Sequence, residues 1–303
     1  MLSKADVHVH TRYSGFGQYK AVKFPESTSR PEDVVEIARR IGIRVLCITD
    51  HNSIKGGLKA REYAKRYKDI DVVVGAEMMT CQGEVIALFI EEDIPKGLTA
   101  AETIDRIRSQ DGLVIAPHPF SKHVRALGTR VDELDIDALE TVNSGHLDGF
   151  ANAAAKKHAE CGRWAEVGGS DAHSLGQLGC AHTSFPGETA DDFRKALLAK
   201  QTKAQGRAFT LEKSVQWSVQ VVLEADLLMV RSFFGLLKSD DPDDPLVNKI
   251  NSMKGHVKLG ALISSMIFLM PPVPFLTSIT GLSVMKRMND PKNDPACGSE
   301  DAH

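Results

Sequence analysis

Imidazoles and carboxylates recur through the first 173 residues, and several of them close an apolar run. In ADVHVHTRYSG, His8 and His10 are separated by one residue. An extended backbone therefore puts both on one face and Val7 and Val9 on the other. Asp50 and His51 follow IRVLCIT, Glu77 ends DVVVGAE, His118 ends LVIAPHP, and Asp171 and His173 close WAEVGGSDAH. Each alone has a plain reading as a helix cap, a solvated loop carboxylate or a turn residue. Together, at successive strand ends, they read as ligands of a divalent-metal site. Imidazole and carboxylate without thiolate suit zinc, manganese or iron rather than calcium or a structural zinc. A divalent ion in such a site acts as a Lewis acid and lowers the pKa of a bound water toward roughly 7, so that hydroxide forms at neutral pH.

The elements that must position these side chains alternate strand and helix, the pattern of a parallel α/β fold. RPEDVVEIARRIG reads as a helix, with Pro31 at its first position, Glu32 and Asp33 at its positive end and Gly42 at its C-terminus. GGLKAREYAKRYK, TAAETIDRIRSQDG, FANAAAKKHAECG and DDFRKALLAK follow as helices between strands. In β/α barrels the strand C-termini meet on one face, which would gather the candidate ligands in one cleft.

The chain has 303 residues, a net charge of −3 and no basic excess to hold a nucleic-acid duplex. Its five cysteines are scattered with no CxxC pair, against a disulfide framework and for a reducing compartment. Lys4 and Asp6 interrupt the start before an apolar run forms, so no signal peptide is expected. No G-x-S-x-G elbow or GxxxxGK[ST] loop points to a serine hydrolase or a P-loop NTPase.

In order, DVHVHTRYS, ITDHNSIKGG, GAE, APHP and GGSDAH resemble the motifs of the PHP family, the polymerase-and-histidinol-phosphatase metal-dependent phosphoesterases. With LGCAHTSFPG the resemblance covers roughly the first two-thirds of the chain. It implies a distorted (β/α)7 barrel, and a first metal held by His8, His10, Glu77 and Asp171. Glu77 would bridge to a second metal that also takes His118, and a third would take His51 and His173. Two positions depart from the pattern. Gly15 stands where many relatives carry an acidic or histidine third-metal ligand. Glu84, opening GEVIALFI, stands where many carry a histidine, and is expected to bind the second metal. Glu77, His118, Asp171 and His173 are the residues expected to carry catalysis.

The expected activity is hydrolysis of a small phosphorylated substrate, a phosphate monoester or the terminal phosphodiester of a nucleotide or short oligonucleotide. The alternatives are a metal-dependent amidohydrolase and a catalytically silent membrane or complex module. Arg125 is a candidate phosphate clamp, and Lys55 before Gly56-Gly57 a candidate anion site at a helix start. Glu140 and Asn143 are expected at the cleft rim, Asn143 touching substrate. His123, His146, His158 and His182 lack a supporting motif and read as ordinary surface or core residues.

The organisation expected is a catalytic domain over 1–210, an apolar helical extension over 211–290 and a disordered tail over 291–303. SVQWSVQVVLEADLLMVRSFFGLL reads as a buried or interfacial helix, and SDDPDDPLVN as an acidic linker. From Leu259 to Met285 no residue is charged. Lys254 and Lys258 precede this stretch, Lys286 and Arg287 follow it, and Pro271, Pro272 and Pro274 interrupt it. This suits a re-entrant membrane hairpin, or two short helices packed on the barrel or on a dimer partner. The localisation implied is a cytoplasmic catalytic domain, attached to the inner face of the membrane if 259–285 inserts. Oligomeric state has no signature here.

Overall fold

The computed structural model describes residues 2–19, 22–239 and 241–290. The expected disordered tail lies outside the described residues. In chain order the elements are β1 (Leu2–Asp6), β2 (Phe16–Tyr19), β3 (Val22–Pro25), α1 (Pro31–Arg40), β4 (Val45–Ile48), α2 (Lys55–Ala64), β5 (Asp71–Met79), β6 (Glu84–Leu88), α3 (Ala100–Arg108) and β7 (Leu113–Ala116). Then come β8 (Ala138–Asn143), α4 (Phe150–Ala159), β9 (Ala165–Gly169), β10 (Ala181–Pro186), α5 (Ala190–Leu198), β11 (Lys203–Gly206), α6 (Leu211–Phe233), α7 (Pro245–Ser252), α8 (Gly255–Leu269) and α9 (Val273–Asn289).

Among the described residues nine strands form one sheet, in the order β11-β10-β1-β4-β5-β6-β7-β8-β9. β1, β4 and β5 run parallel, as do β7, β8 and β9. β6 is antiparallel to β5 and β7, and β10 to β1 and β11. The sheet curls until β9 meets β10. Gly168 N donates to Thr183 Oγ1 at 2.9 Å, and Thr183 Oγ1 donates to Gly168 O at 3.0 Å. Only glycine permits this approach, because a Cβ on Gly168 would lie 2.7 Å from the His182 carbonyl oxygen. The result is the expected distorted, nearly closed α/β barrel with a C-terminal helical extension.

Helix ends follow local chemistry. α1 opens on Pro31 with Glu32 and Asp33 in its first turn, and the chain leaves it through Gly42 at φ +79°. Thr99–Glu102 and Thr189–Asp192 form capping boxes at the starts of α3 and α5. β4, β6 and β7 are buried along their whole length, as strands covered on both faces must be.

β1 ends at Asp6, where the buried carboxylate turns inward to accept Ser170 N at 2.9 Å and Gly179 N at 3.0 Å. The chain stays extended beyond it, with Val9 bridging Ala172 in parallel, so His8 and His10 still share a face. The acidic segment is not a loose linker. Asp244 is buried, caps α7 by accepting Leu246 N and Val247 N at 3.1 Å, and pairs with Arg12 Nη2 at 2.9 Å. Asp241 accepts the Tyr13 hydroxyl and pairs with Lys59.

Candidate metal centre

The ligand candidates meet at one rim of the barrel. β4 delivers His51, which bridges Glu77 in parallel, and β5 delivers Glu77. The chain after β7 delivers His118, and that after β9 delivers Asp171 and His173. β6 runs the other way, so its first residue, Glu84, lies opposite Met79 at the same rim.

Glu77 is the hub. Its Oε2 lies 3.3 Å from His8 Nε2, 3.4 Å from His10 Nε2 and 3.1 Å from His51 Nδ1. Its Oε1 lies 3.2 Å from His118 Nε2, which is also 3.6 Å from Glu84 Oε2. Asp171 Oδ1 sits 3.5 Å from His8 Nε2 and 3.4 Å from His10 Nε2. Donor atoms within 4.8 Å of one another fall into three groups: His8, His10 and Asp171; His8, Glu77 and His118; His10, His51 and His173.

The far side of each imidazole sets which nitrogen faces inward. His8 Nδ1 stands 3.1 Å from Glu140 Oε1. Ser14 Oγ donates to Asp50 Oδ1 at 2.7 Å and so accepts from His10 Nδ1 at 3.0 Å. His173 Nδ1 is 3.0 Å from the Asp171 carbonyl oxygen. These outer partners turn His8 Nε2 and His10 Nε2 inward, the nitrogens a metal would take. Those two atoms and His51 Nδ1 are buried with no hydrogen-bond partner among the described residues. Buried, converging and unpartnered, they fit a divalent ion.

Charge supports the same reading. Burial works to raise the pKa of Glu77, but His8 and His51 outweigh it and hold the carboxylate well below its usual range. Asp171 is held down likewise, chiefly by His8. Burial, then the neighbouring His173, keeps His10 neutral. Glu84 is pushed up to about 8 by burial and then by the Glu77 charge. His118 and Asp171 also have positive φ, +29° and +52°. Such strain costs of order 1–3 kcal/mol each and persists where surrounding contacts over-determine it.

The site opens into a cleft of about 590 Å³, whose walls include His51, Glu77, Glu84, His118 and Lys96. Asp171, His51 and His173 side chains remain 17–19 % exposed, while His8 and His10 are fully enclosed.

Four similarities bear on this arrangement. An uncharacterized protein of Methanocaldococcus jannaschii is 48 % identical over 152 residues, covering 50 % of this chain and 88 % of that protein. The error-prone DNA polymerase of Mycobacterium tuberculosis is 35 % identical over 74 residues, 24 % of this chain and 6 % of the polymerase. The crystal structure of a two-domain protein from Bacteroides vulgatus, containing a predicted PHP-like metal-dependent phosphoesterase, superposes with a TM-score of 0.57 at 18 % identity. That alignment covers 68 % of this chain and 65 % of the other. The PHP-associated family matches residues 149–202, the segment holding Asp171 and His173.

The chain belongs to the PHP family.

Within the PHP frame, several residues sit elsewhere than expected. Glu140 and Asn143 are not at the rim, since both are wholly buried beneath it. Glu140 Oε2 accepts His118 N at 2.9 Å and Asn143 Nδ2 at 2.8 Å, and Asn143 Nδ2 also reaches Asp171 Oδ2 at 3.2 Å. Asn143 therefore orients a ligand rather than touching substrate. Lys55 points to the acidic segment, 3.2 Å from Asp243. The start of α2 packs on the Asp50 carboxylate, since a Cβ on Gly56 would lie 1.9 Å from Asp50 Oδ2. Lys55 does not line the cleft. Arg125 is exposed beside Val124, which lines the cleft, and Lys96 is the lysine on the cleft wall.

Three residues were passed over. His146 is buried and stacks on His118 with ring centres 5.3 Å apart, and His123 packs on His146 at 4.6 Å. Glu26, just past β3, places Oε2 3.9 Å from His173 Nε2 while its N–H donates to the Gly15 carbonyl at 3.1 Å. It thus brings a carboxylate toward the place that Gly15 leaves without one. A histidine with no motif, or a carboxylate after a hairpin, carries no signal that a single sequence can display.

Proposed function

We propose that this protein hydrolyses a small phosphorylated substrate, a phosphate monoester or the terminal phosphodiester of a nucleotide or short oligonucleotide, using two or three divalent ions (manganese, zinc or iron). The observation that carries this reading is Glu77, whose two carboxylate oxygens face four imidazoles from three separate segments. That is the geometry of a bridging ligand. Bound divalent ions supply Lewis-acid charge to the phosphoryl oxygens. In this reading His8, His10, His51, Glu77, Glu84, His118, Asp171 and His173 hold them. Lys96 offers a positive charge at the cleft wall, and Glu140 and Asn143 keep His8 and Asp171 oriented. Membership of the PHP family supports phosphoester over amide chemistry.

The test is metal content by mass spectrometry on purified protein, with a panel of phosphoesters and amides assayed with and without chelator. Chelator-sensitive phosphate release, lost in Glu77→Ala and Asp171→Ala, is expected. Amide turnover without phosphate release moves the assignment to an amidohydrolase, and unchanged turnover in both variants removes the site assignment.

A membrane contact through 259–285 belongs to the same proposal. Among the described residues no single helix is long and apolar enough to cross a bilayer, but α8 and α9 form an apolar pair bent by 81°. Leu259, Ile263, Met266, Ile267, Met270 and Leu276 on that pair are each more than half exposed. Lys254, Lys286 and Arg287 flank it, whereas Lys258 is buried and donates to Ser232 Oγ at 2.8 Å, so it is no flank. Seating on the cytoplasmic leaflet is the expected arrangement. The full chain should float with anionic vesicles and Ile263→Glu/Met266→Glu should not; a full chain that stays behind ends the membrane reading.

A further inference from the structure

A second cavity, of about 410 Å³, adjoins the metal cleft and shares Val124, Asp171, His173 and Trp217 with it. Its size is within the usual range for small-ligand pockets, about 300–1,000 Å³. Its composition is polarised. At the metal end stand Asp171, His173 and His146, which stacks on His118. The apolar part of its lining includes Phe268, Leu282 and Met285, contributed by α8 and α9, with Phe209 just before α6. Trp217 lines both cavities, its ring centre 6.0 Å from that of His173 in an edge-to-face arrangement and its Nε1 buried with no hydrogen-bond partner among the described residues.

The helices that make the apolar wall are pinned to the rest of the molecule. At the end of α9, Asn289 Nδ2 donates to Asp148 Oδ2 at 2.9 Å and to His123 Nδ1 at 3.0 Å, and its Oδ1 accepts Lys122 N at 2.7 Å. On α8, Ser265 Oγ donates to Asp226 Oδ2 of α6 at 2.6 Å. The apolar space is thus a fixed extension of the metal cleft.

We propose that this cavity seats the hydrocarbon tail of an amphiphilic phosphomonoester whose phosphate lies at the metal centre. The head-group half of this statement rests on the phosphoesterase reading above. The tail half rests on the cavity: a polar, metal-binding end continuous with a wall of phenylalanine, leucine and methionine has the polarity of such a molecule.

The experiment uses the metal-loaded full chain and the non-hydrolysable probes methyl-, butyl-, hexyl-, octyl- and decylphosphonate, each below its micelle concentration, with binding followed by calorimetry. The dissociation constant is expected to fall about fourfold for each buried methylene until the cavity is full. In parallel, phosphate release from the matching alkyl phosphates is expected to gain in kcat/KM with chain length. Gly281 lines the cavity, and a Cβ added there meets nothing within 4 Å. Gly281→Trp should fill the space and collapse the decyl-to-methyl affinity ratio, with Ser278→Phe as a second variant should the first not fold. A dissociation constant independent of chain length overturns the tail assignment, and so does a chain-length gain that survives in both variants. Phosphate release without chain-length dependence leaves the phosphoesterase reading standing and removes the tail. Chain-length-dependent phosphonate binding with no phosphate release from any ester keeps the tail cavity and removes the hydrolysis. A geranyl-type C10 probe separates the tail sources: tighter binding than decylphosphonate marks an isoprenoid tail, and weaker binding a straight acyl-type chain.

Discussion

His8 Nδ1 and Glu140 Oε1 lie 3.1 Å apart, both fully enclosed, and this contact decides which His8 nitrogen faces Glu77. The other Glu140 oxygen holds His118 N and Asn143 Nδ2. One buried carboxylate therefore orients ligands of two candidate metal positions. Loss of such an outer partner lowers metal affinity by about 10–100-fold. Glu140→Gln is expected to fall in that range by metal titration, with the fold retained by circular dichroism. Unchanged affinity would show that packing alone orients His8.

The second glycine of GGSDAH has a different task from the first. A Cβ on Gly169 would lie 2.4 Å from Glu140 Oε1 and 2.5 Å from His8 Cβ. Gly169→Ala must displace one of them, so a loss of about 1–3 kcal/mol in stability is expected. Urea unfolding of the metal-free protein measures that loss, and metal titration should weaken along with it.

Metal binding should release protons. Glu84, raised to about 8, and His118, raised to about 9 by Glu77 and Glu84 against the opposing effect of burial, both hold a proton at neutral pH. A ligand must give that proton up. Affinity at their shared site is therefore expected to rise with pH between about 7 and 9, and Glu84→Gln should flatten the slope. Calorimetry in two buffers of different ionisation enthalpy counts the protons; affinity falling with pH over this range contradicts the assignment of both residues.

Glu26 gives a narrower test. Its carboxylate approaches His173 where Gly15 brings none. Glu26→Gln is expected to lower the number of ions bound per chain, or to weaken the last of them about tenfold, while the sites built on His8, His118 and Asp171 stay filled. Metal stoichiometry by mass spectrometry reads this directly, and full occupancy in the variant would take Glu26 out of the ligand set.

Asp244 joins a helix cap to a buried ion pair with Arg12. Removing one partner of such a pair costs about 3–5 kcal/mol. Asp244→Ala is expected near that value in chemical denaturation, and Asp244→Asn, which keeps the cap, at a smaller loss.

The strand ends and their imidazoles were legible because ligand chemistry restricts residue type and an apolar run marks each strand. His8 and His10 are visible as a pair for the same reason that they share a face. The direction of β6 is not visible in GEVIALFI, and only that reversal brings Glu84 to the rim. Glu140 and His146 act through neighbours distant in sequence, so local pattern says nothing of them. The acidic segment was open to a better reading: Asp244-Pro245 is a helix N-cap followed by proline at the first position, the ordinary start of a helix. Lys55 meets Asp243, 188 residues away, a pairing that no local pattern displays.

The parallel bridge of Val9 to Ala172 brings together the first and last segments that carry metal-binding side chains. Ser170 Oγ reaches the His8 carbonyl oxygen at 3.4 Å across 162 residues of chain. An ion held by His8, His10 and Asp171 would thus act as a clasp that closes a very long loop, and its binding energy would count directly toward folding. The barrel's resistance to heat and proteases then becomes a property of metal supply as much as of sequence, and starvation for metal would open the molecule at the seam where its two ends meet.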